Sequence, residues 1–236
     1  MTVKPKRRYD SPRRAEQARQ TRAAVIDTAQ RLFLRDGFAA TTITAIAAEA
    51  GVSAETVYKA FGGKPGLVRA ICETALAGEG PVPAEARSDD LQLTEPDPRA
   101  IIRGWGRLTA EVAPRVSPVL LLLRAAAVAD PEMADLRDEM DASRLRRMTR
   151  NARNLADTGH IRDGITVKHA GEVLWTYSSP ELYELLVLHR GWQARRYGAF
   201  IADAMIAALL RPEGPRSQPG SHPRSPGPGE SSGSSG

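Results

Sequence analysis

The sequence predicts an all-α protein in two parts: an N-terminal three-helix helix-turn-helix unit and a larger helical domain. Three observations carry this. Apolar residues recur at helical spacing through most of the chain rather than alternating. Between Thr41 and Leu67, two short apolar stripes flank a turn containing Gly51. Four pairs, Asp97-Pro98, Ser117-Pro118, Asp130-Pro131 and Ser179-Pro180, read as helix starts, a capping side chain followed by a proline whose missing N–H costs nothing there.

Residues 1–14 read as a disordered basic arm. Met1 to Arg22 holds eight basic and two acidic residues, a net +6, whereas the whole chain carries +5. All excess positive charge therefore lies at one end, beside the helix-turn-helix, the footprint of a DNA-binding end on a near-neutral body. From about Ala15 to Asp36 a helix places Val25, Ile26, Ala29, Leu32 and Phe33 on one face and Arg19, Arg22, Gln30 and Arg31 around the other. Gly37 ends it, since glycine enters the left-handed conformation cheaply.

Ile43, Ile46, Ala47 and Ala50 form the inward stripe of the next short helix, and Gly51 stops it. Val52 plugs the corner. Ser53 caps a helix from Ala54 to about Phe61 with Val57 and Phe61 facing inward. Lys64-Pro65 begins a further helix through Leu67, Val68, Ile71 and Leu76 to about Ala77. The second helix of such a unit enters the DNA major groove by its N-terminal end.

From Leu32 to Leu67 the chain satisfies the pattern L-F-x-x-x-G-F-x-x-T-T-[VI]-x-x-I-A-x-x-A-G-V-S-x-x-T-[VI]-Y-x-x-F-x-x-K-x-x-L. Here it resembles the TetR family (TetR/AcrR) of one-component bacterial transcription regulators. The resemblance implies a homodimer on a palindromic operator in double-stranded DNA, with a small-molecule inducer and most often a repressor role. It also implies site residues. Ala54, Glu55, Thr56 and Lys59 are the expected reach toward base edges and nearby backbone, behind the cap Ser53. Glu55 suits a cytosine amino group, the Thr56 methyl a thymine methyl, and Lys59 a guanine or phosphate. Tyr58 corresponds to a tyrosine that commonly donates to phosphate. Lys64 matches the lysine opening the fourth helix, an expected phosphate clamp, and Thr42 or Thr44 does likewise at the second helix. Glu55 equally suits a helix N-terminus electrostatically.

Residues 78–97, rich in Pro, Gly and acids, read as a loop and the boundary between a DNA-binding domain (15–77) and a ligand-binding and dimerisation domain (98–211). There, helices start at Pro98, at Pro118 for the apolar Val119–Val128, and at Pro131, the last reaching Thr158 before Gly159. Ile165 to Tyr177, Glu181 to Arg190 and Trp192 to about Leu210 complete the set. Residues 212–236 read as a disordered tail, and the terminal SSGSSG also reads as an appended linker. The stretch from Gly171 to Leu210 resembles the C-terminal domain of actinobacterial TetR regulators, through Val173-Leu174-Trp175, Ser179 to Tyr183 and Arg190-Gly191-Trp192. The last helices are thus expected to pair two subunits, with Ile201 and Met205 on the joining face.

Trp105, Leu108, Met133, Leu136, Met140, Trp175 and Tyr183 are the candidate ligand contacts, although aromatic and Met residues at helical spacing serve equally as core. The four histidines and the single Cys72 show no metal-ligand spacing, so no metal and no cofactor are expected. Cys72, beside Ile71 on an apolar helix, reads as a buried thiol. No run of about 18 apolar residues exists, so no membrane partner is expected, and the basic N-terminus lacks the apolar core of a signal peptide. That reads as cytoplasmic. An all-helical enzyme is disfavoured, since no nucleophile elbow, P-loop, dinucleotide fingerprint or H-E-x-x-H is present. A DNA-binding module whose C-terminal part only dimerises, with no ligand, remains the alternative.

Overall fold

The computed structural model describes residues 12–212, so the expected arm before Pro12 and the tail from residue 213 lie outside the described residues. Among the described residues, ten α-helices follow in order: α1 Pro12–Asp36, α2 Ile43–Glu49, α3 Ala54–Phe61, α4 Lys64–Ala77, α5 Ala84–Thr94, α6 Pro98–Ala126, α7 Pro131–Asp157, α8 Val167–Tyr177, α9 Pro180–Tyr183 and α10 Ala194–Leu209. The chain is all-α: among the described residues the only extended pairing is an isolated antiparallel bridge between Ile161 and Leu210.

Helix ends fall where local chemistry puts them. The side chains of Thr42, Ser53, Asp97, Asp130 and Thr166 each accept from a backbone N–H of the first turn they precede. At the end of α7, His160 N donates to Leu155 O (3.0 Å) and Gly159 N to Ala156 O (2.9 Å), a Schellman closure that the left-handed Gly159 permits.

The structure departs from the sequence expectations in four places. Residues 12–14, expected in the arm, already belong to α1. The stretch 78–97, expected as a loop, contains α5. Its polar face is held from a distance: Glu85 pairs with Arg147 and Arg150, and Asp89 Oδ1 lies 2.9 Å from Arg147 Nη2. Ser117-Pro118 opens no new helix, because α6 runs unbroken through Pro114 and Pro118. After α9 the chain widens into a π-helical turn, Glu184–His189, in place of an α-helix to Arg190.

Two apolar cores result, and they do not part at residues 78–97. The first joins α1, α2, α3 and α4 through Phe33, Ile46, Val57 and Leu67 to the C-terminal half of α6 (Val116, Val119, Leu123) and the start of α7 (Met133, Leu136). The second joins the N-terminal half of α6 (Ile101, Ile102, Trp105) to α7, α8, α9 and α10. There α6 and α10 cross at Gly106 and Gly198, where a Cβ on either would strike the other's carbonyl oxygen. Ile201 and Met205 are buried in this second core, so they pack within the protomer rather than on a joining face.

Candidate nucleic-acid interface

The interface is built by α2 and α3 on the support of α1 and α4. α2 ends in a full Schellman closure, with Val52 N donating to Ala47 O (2.9 Å) and Gly51 N to Ala48 O (3.3 Å). Gly51 takes φ +70°, which a side chain rarely tolerates. That turn sets the angle between α2 and α3. Ser53 Oγ then accepts from Thr56 N at 3.1 Å and shares a 2.8 Å bond with Thr56 Oγ1. Val57 is fully buried, which fixes which side of α3 faces outward.

The outward side carries Glu55, Thr56, Tyr58 and Lys59, all exposed, while Ala54 is half-buried against the first core. Tyr58 is 55% exposed, a large aromatic held in water at the middle of the helix. A lone exposed aromatic proves little, but one beside exposed polar groups on a protruding helix suits recognition. Thr42 and Thr44 are exposed at the start of α2, and Thr42 Oγ1 accepts from Ala45 N at 3.1 Å, leaving its hydroxyl hydrogen for a partner.

Lys64 has a different place. Its Nζ donates to Phe38 O (2.6 Å) and Thr41 O (3.1 Å) and lies 4.1 Å from the centroid of the Phe38 ring. Two of its three N–H donors thus tie α4 to the α1–α2 turn, so the expected phosphate clamp also braces the fold. The same first turn of α4 comes close to α3: a Cβ on Gly66 would collide with the Phe61 carbonyl. Gly66 was invisible as a site-shaping residue from the sequence, because only the proximity of the two helices gives it meaning.

The sequence also missed the α1 side. Arg13, Gln17 and Thr21, each four residues apart, lie along a groove of about 580 Å3 between α1 and α3, opposite Thr56 and Phe61. Arg22 closes it from within, donating to Ala60 O (3.2 Å) with its guanidinium 4.4 Å from the Phe61 ring centroid. The four-residue spacing was the available signal, but only the packed α3 shows which face of α1 it occupies.

The residues expected to touch a ligand do not converge. Met133, Leu136 and Met140 belong to the first core, and Trp105 and Tyr183 to the second. Trp175 lies beneath Arg144, whose guanidinium is 4.5 Å from its ring centroid and whose Nη1 donates to Trp175 O at 2.5 Å. Leu108 lines a small crevice with Leu91 and Glu111 between α5 and α6. The indole N–H groups of Trp105 and Trp175 are buried with no hydrogen-bond partner among the described residues.

Three titratable groups show how the parts are joined. The Glu111 carboxyl is pulled down to about 2, chiefly by its hydrogen bonds with Arg87, with help from the Glu79 N–H and the Arg115 charge. It therefore stays ionised and holds the chain just beyond α4, accepting from Glu79 N at 2.5 Å. Arg69 on α4 meets Glu139 on α7 through two parallel 2.6 Å bonds. Burial pushes the Cys72 thiol up to about 12, so no thiolate forms near neutral pH.

Residues 25–71, from the second half of α1 through α2 and α3 into α4, match the family described as bacterial regulatory proteins, tetR family. Through this region the chain is similar to proteins of the TetR family. The HTH-type transcriptional regulator TtgR of Pseudomonas putida is 34% identical over 91 residues, 39% of this chain and 41% of that protein. The probable HTH-type transcriptional regulator ArpR of Pseudomonas putida is 40% identical over 62 residues, 26% of this chain and 30% of that one. The chain thus matches less than half the length of either curated relative. Solved structures extend the likeness of fold. SmeT of Stenotrophomonas maltophilia, in its triclosan complex, superposes with TM-score 0.64 at 22% identity, over 87% of this chain and 100% of that one. NalD of Pseudomonas aeruginosa superposes with TM-score 0.61 at 20% identity, over 83% and 98%. No helix of the described residues is long and apolar enough to cross a membrane.

Proposed function

We propose that this chain is a sequence-specific DNA-binding transcriptional regulator, a homodimeric repressor that a small molecule releases from a palindromic operator. The observation that carries the reading is the outward face of α3, where Glu55, Thr56, Tyr58 and Lys59 stand exposed on a helix whose angle is fixed by the Gly51 turn and the buried Val57. Glu55 and Lys59 read base edges, and Tyr58 and Thr44 hold phosphates. Arg13 and Gln17 form a second rim across the groove, positioned for the backbone on the other side of the same major groove.

Pairing of two subunits uses the exposed apolar residues of the C-terminal helices. Leu185, Leu188 and Phe200 are 54%, 51% and 41% exposed, and Phe200 packs edge-on against Trp192 at 5.5 Å. Apolar side chains gathered on one surface mark an association site. TtgR is named a transcriptional regulator, NalD a repressor of a multidrug efflux pump, and SmeT has been solved with triclosan. Those names support a DNA-binding repressor that takes a ligand, for which we propose residues 98–211 as the binding part. A ligand that prefers the form with the wrong spacing of the two α3 helices shifts the population away from DNA. The division at residues 78–97 is then functional rather than a break between cores.

The test compares Glu55→Ala and Tyr58→Phe on a set of duplexes differing one base pair at a time. Glu55→Ala changes which bases are preferred, and Tyr58→Phe weakens all duplexes alike. If Glu55→Ala left the preferences intact and only scaled affinity, α3 would not be the reading helix.

A further inference from the structure

The groove between α1 and α3 has more apolar surface than a sugar-phosphate backbone uses. Its floor is made by Val25, Val57 and Phe61, with Ala18 and Ala60 at the sides, and its outer rim by Arg13 and Arg14. Among the described residues, no Asp or Glu lines it. Arg13 is exposed, and Arg22 adds a third cation stacked on the Phe61 ring. At about 580 Å3 the groove falls in the range of roughly 300–1,000 Å3 typical of small-molecule sites. A DNA phosphate would meet the rim and leave the floor bare. An apolar body with an anionic head meets both.

We propose that this groove binds an anionic amphiphile, with a carboxylate on the arginine rim and an apolar chain along the floor, and that its occupancy excludes DNA. The head group takes the same guanidinium donors a phosphate would take, so the two cannot be held together. This is direct competition at the DNA-binding end, separate from any ligand held by the C-terminal helices. The exclusion of DNA rests on the regulator reading; the binding of the amphiphile does not.

The probe is decanoate, kept below its micelle-forming concentration and titrated calorimetrically into the full chain, with decanol as the neutral counterpart. Two variants accompany the wild type. Ala18 is exposed on α1, so Ala18→Glu leaves the fold intact and sets a carboxylate beside the floor. Arg13→Ala removes one rim cation. Decanoate is expected to bind the wild type and to bind each variant about tenfold more weakly, the loss of roughly one charge-assisted hydrogen bond. Decanol is expected to bind more weakly than decanoate. Equal decanoate affinity for all three proteins, decanol binding as well as decanoate, or no decanoate binding at millimolar concentration would each overturn the site. Anisotropy of a labelled duplex in the same samples tests exclusion. Decanoate is expected to raise the apparent Kd for DNA in the wild type and less so in the variants. Variant-sensitive decanoate binding with unchanged DNA affinity would overturn the exclusion alone. Failure of the chain to bind DNA without decanoate would instead count against the regulator reading.

Discussion

Replacing Lys64 with methionine separates a lysine that braces the fold from one that clamps a phosphate. The structure gives its Nζ two carbonyl acceptors, Phe38 O at 2.6 Å and Thr41 O at 3.1 Å, and an aromatic face at 4.1 Å. Methionine keeps the apolar stem and removes the charge. Each hydrogen bond from a charged donor contributes about 1.5–3 kcal/mol, and a half-exposed cation–π contact about 0.5–1 kcal/mol. Water reaches part of the site and recovers some of the loss, so a net destabilisation of about 2 kcal/mol is expected. For a chain of this size that lowers Tm by roughly 4–8 °C. A phosphate clamp predicts something else: one fewer neutralised phosphate per subunit, two per dimer, makes the slope of log K against log salt shallower by about 1.8. The assay is therefore twofold, thermal unfolding and the salt dependence of affinity for a fixed duplex. The bracing role predicts a lower Tm with the slope unchanged. An unchanged Tm with a slope shallower by about 1.8 would refute it.

Four further outcomes follow from burial and charge. Leu188→Glu and Phe200→Glu are expected to give folded monomers in sedimentation, because both side chains are exposed; a dimer in both would place the pairing face elsewhere. Ile201→Glu is expected to unfold the chain, because Ile201 is fully buried; a folded Ile201→Glu protein would contradict the second core. Cys72, fully buried with its thiol pushed up to about 12, is expected to resist iodoacetamide near pH 8 and to react once in denaturant. Glu111 is held at about 2 against an ordinary 4.5, so its ionised form favours the folded state above pH 4.5, and that contribution fades as pH falls toward 2. Denaturant unfolding of wild type and Glu111→Gln should accordingly differ most near neutral pH and converge as the pH falls toward 2; a constant difference would show that the carboxylate's charge is not what stabilises.

The short-range features of this fold were legible in the sequence. Thr42, Ser53, Asp97 and Asp130 all cap as their neighbours suggest, and Gly51 and Gly159 close helices in the left-handed conformation they alone adopt easily. What was not legible depends on partners far along the chain. Helix α5 shows weak apolar periodicity, and its acids become informative only when Arg147 and Arg150 arrive from α7. Ser117-Pro118 has the look of a cap, yet α6 continues through it. Ser117 is buried, and the helix is gripped on one side by α4 and on the other by α10, so packing outweighs the lost hydrogen bonds.

The same holds in the site. The sequence placed Glu55, Tyr58 and Lys59 by their position after a cap, and the buried Val57 turns that side of α3 outward. It could not show that Lys64 is occupied by the α1–α2 turn, that Gly66 admits α4 against α3, or that Arg13 and Gln17 share a groove with Thr56. Most of the candidate ligand residues are spread over both cores, and spacing alone cannot tell a lining aromatic from a packed one.

The central claim is that α3 of a paired chain reads a specific DNA sequence. Selection of bound sites from random duplex DNA by the purified protein tests it most directly, with Tyr58→Ala plus Lys59→Ala as the control. A near-palindromic motif that disappears in the control is the predicted result. Failure to enrich any motif, even at low salt where phosphate contacts are strongest, would contradict the account.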